Sequence, residues 1–303
     1  MSAAATSHNV SFPESMSGDL ATLDPGMFRR VANIAERVAG LSIPDAKRSM
    51  VQSRLNRRLK ATGRSGFSAY LDFVESKQGS EELRHMISAL TTNVSHFFRE
   101  NHHFELFNQQ ILPDLLDRAK RGERVRIWSA GCSTGQEPYS IAMALLTAEP
   151  AIAKHDVKIL ATDIDHNVLS VAHRAIYDQR LLEGIPAESA HAFLDDGPEP
   201  GQRQIRQKVR NLVVFRHLNL IEPWPMQGQF QTIFCRNVLI YFSEATQKLL
   251  WPRLHDALAS GGWLFLGHSE RIQKPEEEGF SSVGVTSYRR RDGSVSIQKT
   301  RKA

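Results

Sequence analysis

VRIWSAGCSTGQEPY, running from Val125 to Tyr139, is the stretch whose reading decides the fold. Val125 to Trp128 reads as a short apolar strand, and Ala130-Gly131-Cys132-Ser133-Thr134-Gly135 breaks it. The apolar spacing of Ile141, Ala142, Leu145 and Leu146 predicts a helix that begins near Pro138. Strand, glycine turn and helix in that order make a cradle of nucleotide size. Glycine lets the backbone approach a ligand, and the helix start offers unpaired N–H groups.

The rhythm continues downstream. Val157 to Asp165 reads as a second strand ending in acids, and Val168 to Ala175 continues as a helix. Alternating strands and helices argue for an α/β fold with a parallel sheet and a ligand at the carboxyl ends of its strands. From Tyr177 to Leu194 the pattern is helical or irregular, and Asp195 to Gly201 is a turn rich in glycine and proline. Gln202 to Lys208 and Leu212 to Phe215 are candidate strands beside it, which predicts a small antiparallel insert over about 178–216. The sheet rhythm resumes with Val213 to Asn219, so the insert and the sheet both claim residues 213–215. Phe230 to Asn237, a helix from Ser243 to Ala259 and a last strand from Trp263 to His268 complete it. Arg289 to Ala303 is polar and basic and reads as a fraying tail.

Upstream the pattern is helical. Phe28, Val31, Ile34, Ala35 and Val38 share one face, and Gly40 suits a stop. Pro44 opens a second helix, in which Val51, Leu55 and Leu59 form an apolar stripe. Arg54, Arg57 and Lys60 lie on another face, and Gly63 and Gly66 end the helix. Phe67 to Val74 and Glu82 to Leu90 read as two further helices. Thr91 to Glu100 reads as a linker pinned by Phe97 and Phe98, and Phe104 to Leu116 as another helix.

Composition narrows the function classes. No apolar run reaches the roughly 20 residues that cross a bilayer, and the N-terminus lacks the pattern of a secretory leader. Residues 1–22 are small and polar and read as a disordered tail. Cys132 and Cys235 are the only cysteines, which excludes a disulfide framework and points to the cytoplasm. The net charge of +5 is unevenly spread. Pro25 to Gly66 holds ten basic and two acidic residues, a local +8 that leaves the remainder at −3. A basic helical face is commonly just solvated, but an excess confined to one module suits an acidic partner.

The turn itself excludes two ligands. It has no Gly-Lys-Ser/Thr for β- and γ-phosphates, and Gly131 and Gly135 do not make the dinucleotide pattern. Glu137 at the helix start is unwelcome beside a pyrophosphate, and Asp163 ends the next strand, where related folds grip ribose hydroxyls. Each has a structural reading too, Glu137 as an acid serving the helix dipole and Asp163 as a helix cap. Together they suit a cationic, phosphate-free nucleoside such as S-adenosylmethionine.

Several long motifs carry a resemblance to a family. They are Lys47-Arg48 with Arg54 to Lys60, Thr92 to Glu100, Ala130 to Ser140, Ala161 to Asp165, and Phe234 to Phe242. In these the chain resembles the CheR-type chemoreceptor glutamate O-methyltransferases of bacterial chemotaxis, from about Phe28 to Tyr288. The resemblance implies a Rossmann-like class I S-adenosylmethionine-dependent methyltransferase domain over 104–288, preceded by an all-α domain over 23–92 and a linker over 93–103. It implies donor contacts from Asn93, Ser95, Arg99, Glu137, Asp163, Asn219, Leu220, Arg236 and Asn237, with Gly131 in the turn. Ser95 stands where many relatives have threonine, and the hydroxyl is kept.

The implied reaction is methylation of a receptor glutamate to its γ-methyl ester. A glutamate is ionised at neutral pH, with an ordinary pKa of about 4.3, so no general base is needed. Alignment and removal of water from the carboxylate should carry catalysis. Arg99 is the candidate clamp for that carboxylate, or for the donor's own. Tyr241 is the candidate that orients the methyl or the glutamate; its structural reading is a core aromatic. Arg54, Arg57 and Lys60 would read the acidic receptor helix. In some relatives the insert docks a receptor C-terminal peptide, which makes the same partner an expectation here. A monomer recruited to membrane receptor arrays, with no membrane insertion of its own, is the implied state. A nucleic-acid methyltransferase is the competing enzyme, but Val238-Leu239-Ile240-Tyr241 is not the proline-rich motif of base-amine methylation, and the basic module lacks interleaved exposed aromatics. A catalytically silent receptor adaptor is the other alternative. His96, His102 and His103 do not have convincing ligand spacing, so no metal is expected.

Overall fold

The computed structural model describes residues 22–292. Of the expected tail at residues 1–22, residues 1–21 lie outside the described residues, as does the end beyond Asp292. The chain begins with four helices, α1 (Pro25–Ala39), α2 (Arg48–Thr62), α3 (Phe67–Val74) and α4 (Ser80–Leu90). Asp24 caps α1 by accepting from the Met27 N–H, Pro25 fits the first turn, and Gly40 closes it at φ +70°. Gly63 closes α2 in the same left-handed conformation. Val51, Leu55 and Leu59 are buried as their spacing predicts. Pro44 precedes a short 3-10 turn, so α2 itself starts four residues later than the proline suggests. Arg58 is an internal strut: it binds buried Glu82, which also accepts from the Tyr70 hydroxyl at 2.7 Å.

After the linker come α5 (Asn101–Leu106) and α6 (Leu112–Lys120), joined by a π turn over Phe107–Ile111. The next elements are β1 (Val125–Ala130), α7 (Gln136–Ala148), β2 (Val157–Asp163) and α8 (His166–Arg174). The insert consists of β3 (Ile176–Asp178), α9 (Ala187–Phe193), β4 (Leu194–Asp196) and β5 (Gln202–Ile205). The chain leaves it through α10 (Gln207–Arg210) and β6 (Val213–His217), then adds β7 (Phe230–Cys235), α11 (Glu244–Ala257), β8 (Leu258–Leu266), β9 (Phe280–Gly284) and β10 (Ser287–Arg290).

The large sheet has the order β6-β2-β1-β7-β8-β10-β9. Its first five strands run parallel, and β10 and β9 add an antiparallel edge. β1 is central, and its residues are buried on both faces except Arg126, as a parallel strand between helical layers requires. The chain order reverses beside β1, where β2 lies on one side and β7 on the other, and this is where such sheets open a ligand crevice. The small sheet has the order β3-β5-β4.

Three expectations change here. Val213–His217 pairs with β2, so the insert's strands end at Ile205 and residues 213–215 belong to the large sheet. Gln207–Arg210 is a helical turn rather than strand, with Arg206 extended ahead of it and β6 following it. Arg289 and Arg290 do not fray: they pair with β8 and β9, and β9 itself has no signal in the sequence pattern. Among the described residues, no helix is long and apolar enough to cross a membrane.

Candidate active site

A cleft opens at the carboxyl ends of β1, β2 and β7 and is roofed by the helical module. The sheet side contributes Gly131, Ser133, Glu137, Asp163, Asn237 and Tyr241, and the helical side Ala39, Lys47, Met50 and Leu90. Leu41 bridges to Phe242, and Ser42 donates to the Tyr241 carbonyl at 2.7 Å, which seats the roof.

The glycine turn is held by backbone. The N–H groups of Gly131 and Cys132 both donate to the Thr162 carbonyl. Gly131 has φ +78°, and a Cβ there would stand 2.2 Å from Val238 Cγ2, so only glycine fits. Asp163 accepts from the Ser133 N–H at 2.8 Å and the Asp165 N–H at 2.9 Å. It is not the cap of α8; Asp165 is, accepting from the Asn167 N–H. Burial raises the Asp163 carboxyl to about 6, against the pull of those two N–H groups.

Glu137 accepts from the Ser129 hydroxyl at 2.6 Å and lies 3.2 Å from the Arg236 guanidinium. Burial pushes its pKa up, and Arg236 opposes that. Arg236 is itself buried between two acids, with Glu100 also at 3.2 Å, and it donates to the Arg99 carbonyl. Burial works against the Glu100 charge but is outweighed by Arg236 and by hydrogen bonds from His268, which hold that carboxyl at about 2. Burial, then Arg236, pushes His103 down to about 4.

Asn237 sits at φ +59°, and its N–H donates to Glu270 at 2.8 Å, as does that of Ile240 at 3.1 Å. One buried acid thus shapes the loop that carries Asn237 and Tyr241. Phe98, Glu100 and Ser133 also have positive φ, so left-handed backbone concentrates around this cleft.

The structure brings Asn93, Ser95, Arg99, Gly131, Glu137, Asp163, Asn219, Leu220, Arg236, Asn237 and Tyr241 to this one cleft. Their side chains are differently engaged. The Asn93 amide donates to Asp165 at 2.8 Å. The Asn219 amide donates to the Val38 carbonyl at 2.7 Å. Arg99 donates to the Val94 carbonyl and remains partly exposed. The Arg54, Arg57 and Lys60 set divides. Arg57 and Lys60 are exposed, but Arg54 is half-buried and donates to backbone carbonyls at the end of α4. Arg54 thus differs from Arg57 and Lys60 in that its guanidinium already has partners within the fold.

Sequence reasoning missed Glu100, Asp165, Glu270 and the cleft face of Lys47. The first two lie inside the family motifs, and an acid amid Phe-Phe-Arg was the available signal. Glu270 had none. Glu100, His102 and His103 bring possible ligand atoms within 4.8 Å of one another, although their spacing offers no such signal. The Arg236 guanidinium stands 3.2 Å from the same Glu100 oxygen that lies 3.4 Å from His103, and its charge disfavours a cation there.

Comparison with known proteins fits this geometry. Residues 93–289 match the model described as "CheR methyltransferase, SAM binding domain", and residues 27–91 match "CheR methyltransferase, all-alpha domain". The chain belongs to the CheR methyltransferase family. It is 45% identical over 253 residues to a probable chemotaxis protein methyltransferase of Rhizobium etli, covering 83% of this chain and 94% of that one. It is 40% identical to the chemotaxis protein methyltransferase of Salmonella typhimurium over 269 residues, 88% of this chain and 90% of that one. The Escherichia coli chemotaxis protein methyltransferase is also 40% identical, over 88% of this chain and 91% of its own length.

This CheR-family chain is an S-adenosylmethionine-dependent methyltransferase. The donor set fits that cofactor. At the strand ends the acids Glu137 and Asp163 face the cleft, and the glycine turn carries no lysine, which suits amine and hydroxyl groups and not a phosphate.

Proposed function

We propose that this chain methylates the γ-carboxylate of glutamates on chemoreceptors, forming methyl esters in chemotaxis. The observation that carries the reading is the composition of the cleft. Cofactor-type acids at the strand ends and the basic helical module line the same opening, and the Lys47 ammonium stands 5.8 Å from the Tyr241 ring centroid. An acidic helix seated on the basic module beside Lys47, which lines the opening, would present a carboxylate close to the donor.

The donor supplies an electrophilic methyl on a sulfonium. Glu137 and Asp163 would hold its polar groups, with Asn93, Ser95, Asn219, Leu220 and Asn237 completing the pocket and Arg236 fixing Glu137. Arg99 and Tyr241 stand at the opening, where they would orient the incoming carboxylate. An ionised glutamate needs no base, so alignment and exclusion of water carry the rate. Receptor C-terminal peptide docking on the insert, action as a monomer, and recruitment to receptor arrays belong to the same reading.

The test is transfer of labelled methyl to receptor cytoplasmic fragments and, in parallel, to RNA. Label released as methanol in mild base identifies an ester. Base-stable label on the receptor would sink the ester, and transfer to RNA alone would favour nucleic-acid methylation. Donor binding without transfer to any receptor fragment would support the silent adaptor.

A further inference from the structure

We propose that Arg54 is a positioning residue for the donor site, and that only its neighbours Arg57 and Lys60 face an acidic partner; this rests on the methyl-transfer reading above. The guanidinium of Arg54 reaches across from α2 to the end of α4. One nitrogen donates to the carbonyls of Leu90 at 2.9 Å and Thr91 at 2.7 Å, and the other lies 3.3 Å from the Thr92 hydroxyl. A helix end leaves such carbonyls without partners, and a cation there is favoured by the helix dipole.

The segment after Thr92 connects this contact to the cleft. The Asn93 carbonyl accepts from the Ser133 hydroxyl at 2.8 Å, and the Asn93 amide donates to Asp165 at 2.8 Å. Asp165 donates its N–H to Asp163, and Asp163 accepts in turn from the Ser133 N–H. Asn93, Asp165, Asp163 and Ser133 thus form a closed ring of hydrogen bonds at the carboxyl ends of β1 and β2. Ser88 of α4 binds the other oxygen of Asp165 at 2.7 Å. Arg54 grips the ring's linker from the side of α2, so the basic helix and the donor site share one mechanical element.

The experiment compares Arg54→Gln, Arg54→Lys and Arg57→Gln in the full chain. S-adenosylhomocysteine affinity is measured by calorimetry without receptor, together with hydrogen exchange of the amides from 92 to 95. Arg54→Gln is expected to weaken S-adenosylhomocysteine binding about tenfold, as loss of charge-assisted hydrogen bonds would, and to speed exchange of those amides. Arg54→Lys is expected to recover part of both, and Arg57→Gln to match wild type in both while raising the KM for receptor. Wild-type affinity and wild-type exchange in Arg54→Gln, with loss confined to receptor KM, would overturn the proposal. Should Arg54→Gln fail to fold, Arg54→Lys carries the decision, and wild-type values in both readouts count against the proposal. A wild-type chain that binds no S-adenosylhomocysteine defeats the methyl-transfer reading instead, and the exchange measurement still decides whether Arg54 holds the segment after Thr92.

Discussion

Arg236→Met removes the one cation that two cleft acids share. The side chain is 2% exposed and lies 3.2 Å from both Glu100 and Glu137. Glu100 is held at about 2 instead of its ordinary 4.5. At about 1.4 kcal/mol per tenfold in proton affinity that is about 3 kcal/mol, reduced to about 2 because water reaches part of the group. A depressed carboxylate stabilises the fold fully above its ordinary pKa and loses that contribution as pH falls through the depressed value, so all of it is present at neutral pH. Methionine keeps the volume but leaves both acids without their partner, and breaking a buried pair in this way costs about 3–5 kcal/mol. The expected loss is about 3 kcal/mol at neutral pH, a fall in Tm of about 6 °C at about 2 °C per kcal/mol for a chain of this size. In the variant, burial raises Glu100 with only His268 opposing it and Glu137 with only Ser129 opposing it, so both take protons more readily on acidification. The gap to wild type should therefore narrow by about pH 5. Scanning calorimetry at the two pH values decides it. A loss under about 1 kcal/mol, well short of a broken buried pair, or an equal loss at both pH values, would refute the reasoning.

The same geometry sets four further outcomes. Donor affinity should fall as pH drops below about 6, where Asp163 takes a proton; its raised pKa also means that its contribution to stability is lost as pH rises through about 6, and a flat calorimetric affinity profile would remove Asp163 from the donor contacts. Gly131→Ala should cost about 2–4 kcal/mol from left-handed strain and overlap with Val238. Adding Val238→Ala should restore the overlap part alone in denaturant titration. Arg99→Ala should lower turnover on the order of a hundredfold with little change in Tm, as loss of a positioning clamp does; near-wild-type turnover would exclude Arg99 from the mechanism. Charge reversal at Arg57 and Lys60 should raise the receptor KM and leave donor affinity unchanged, and equal loss of both would make that face structural.

Much of the fold was legible because it rests on local rules. The Val125–Tyr139 strand, turn and helix form where their glycines and apolar spacing place them, and α1 and α2 end at Gly40 and Gly63. The edge hairpin was not legible. Phe280–Gly284 and Ser287–Arg290 become strands because β8 offers an unpaired edge, a property of the assembled sheet. Val213–His217 was ambiguous for the same reason, since an apolar run does not say which strand it will join. In the cleft, residue types at the strand ends were readable, but Glu270 was not. Its three backbone partners, at Asn237, Ile240 and Gly267, meet only after the sheet has formed.

By itself the sequence determined where the cofactor cradle lies, that its ligand is not a phosphate, and that the basic charge sits in one helical module. Those are properties of spacing and residue type, and they survive without knowledge of neighbours. Only the tertiary structure decided how each charge is used. Arg54 and Arg57 look alike in the sequence, three residues apart on one helix, yet the first is spent on the carbonyls of α4 and the second faces solvent. Arg236 likewise became the shared partner of Glu100 and Glu137. A charge acts through distance and burial, and in a chain folded from separate segments both are fixed by packing between residues that the sequence keeps far apart.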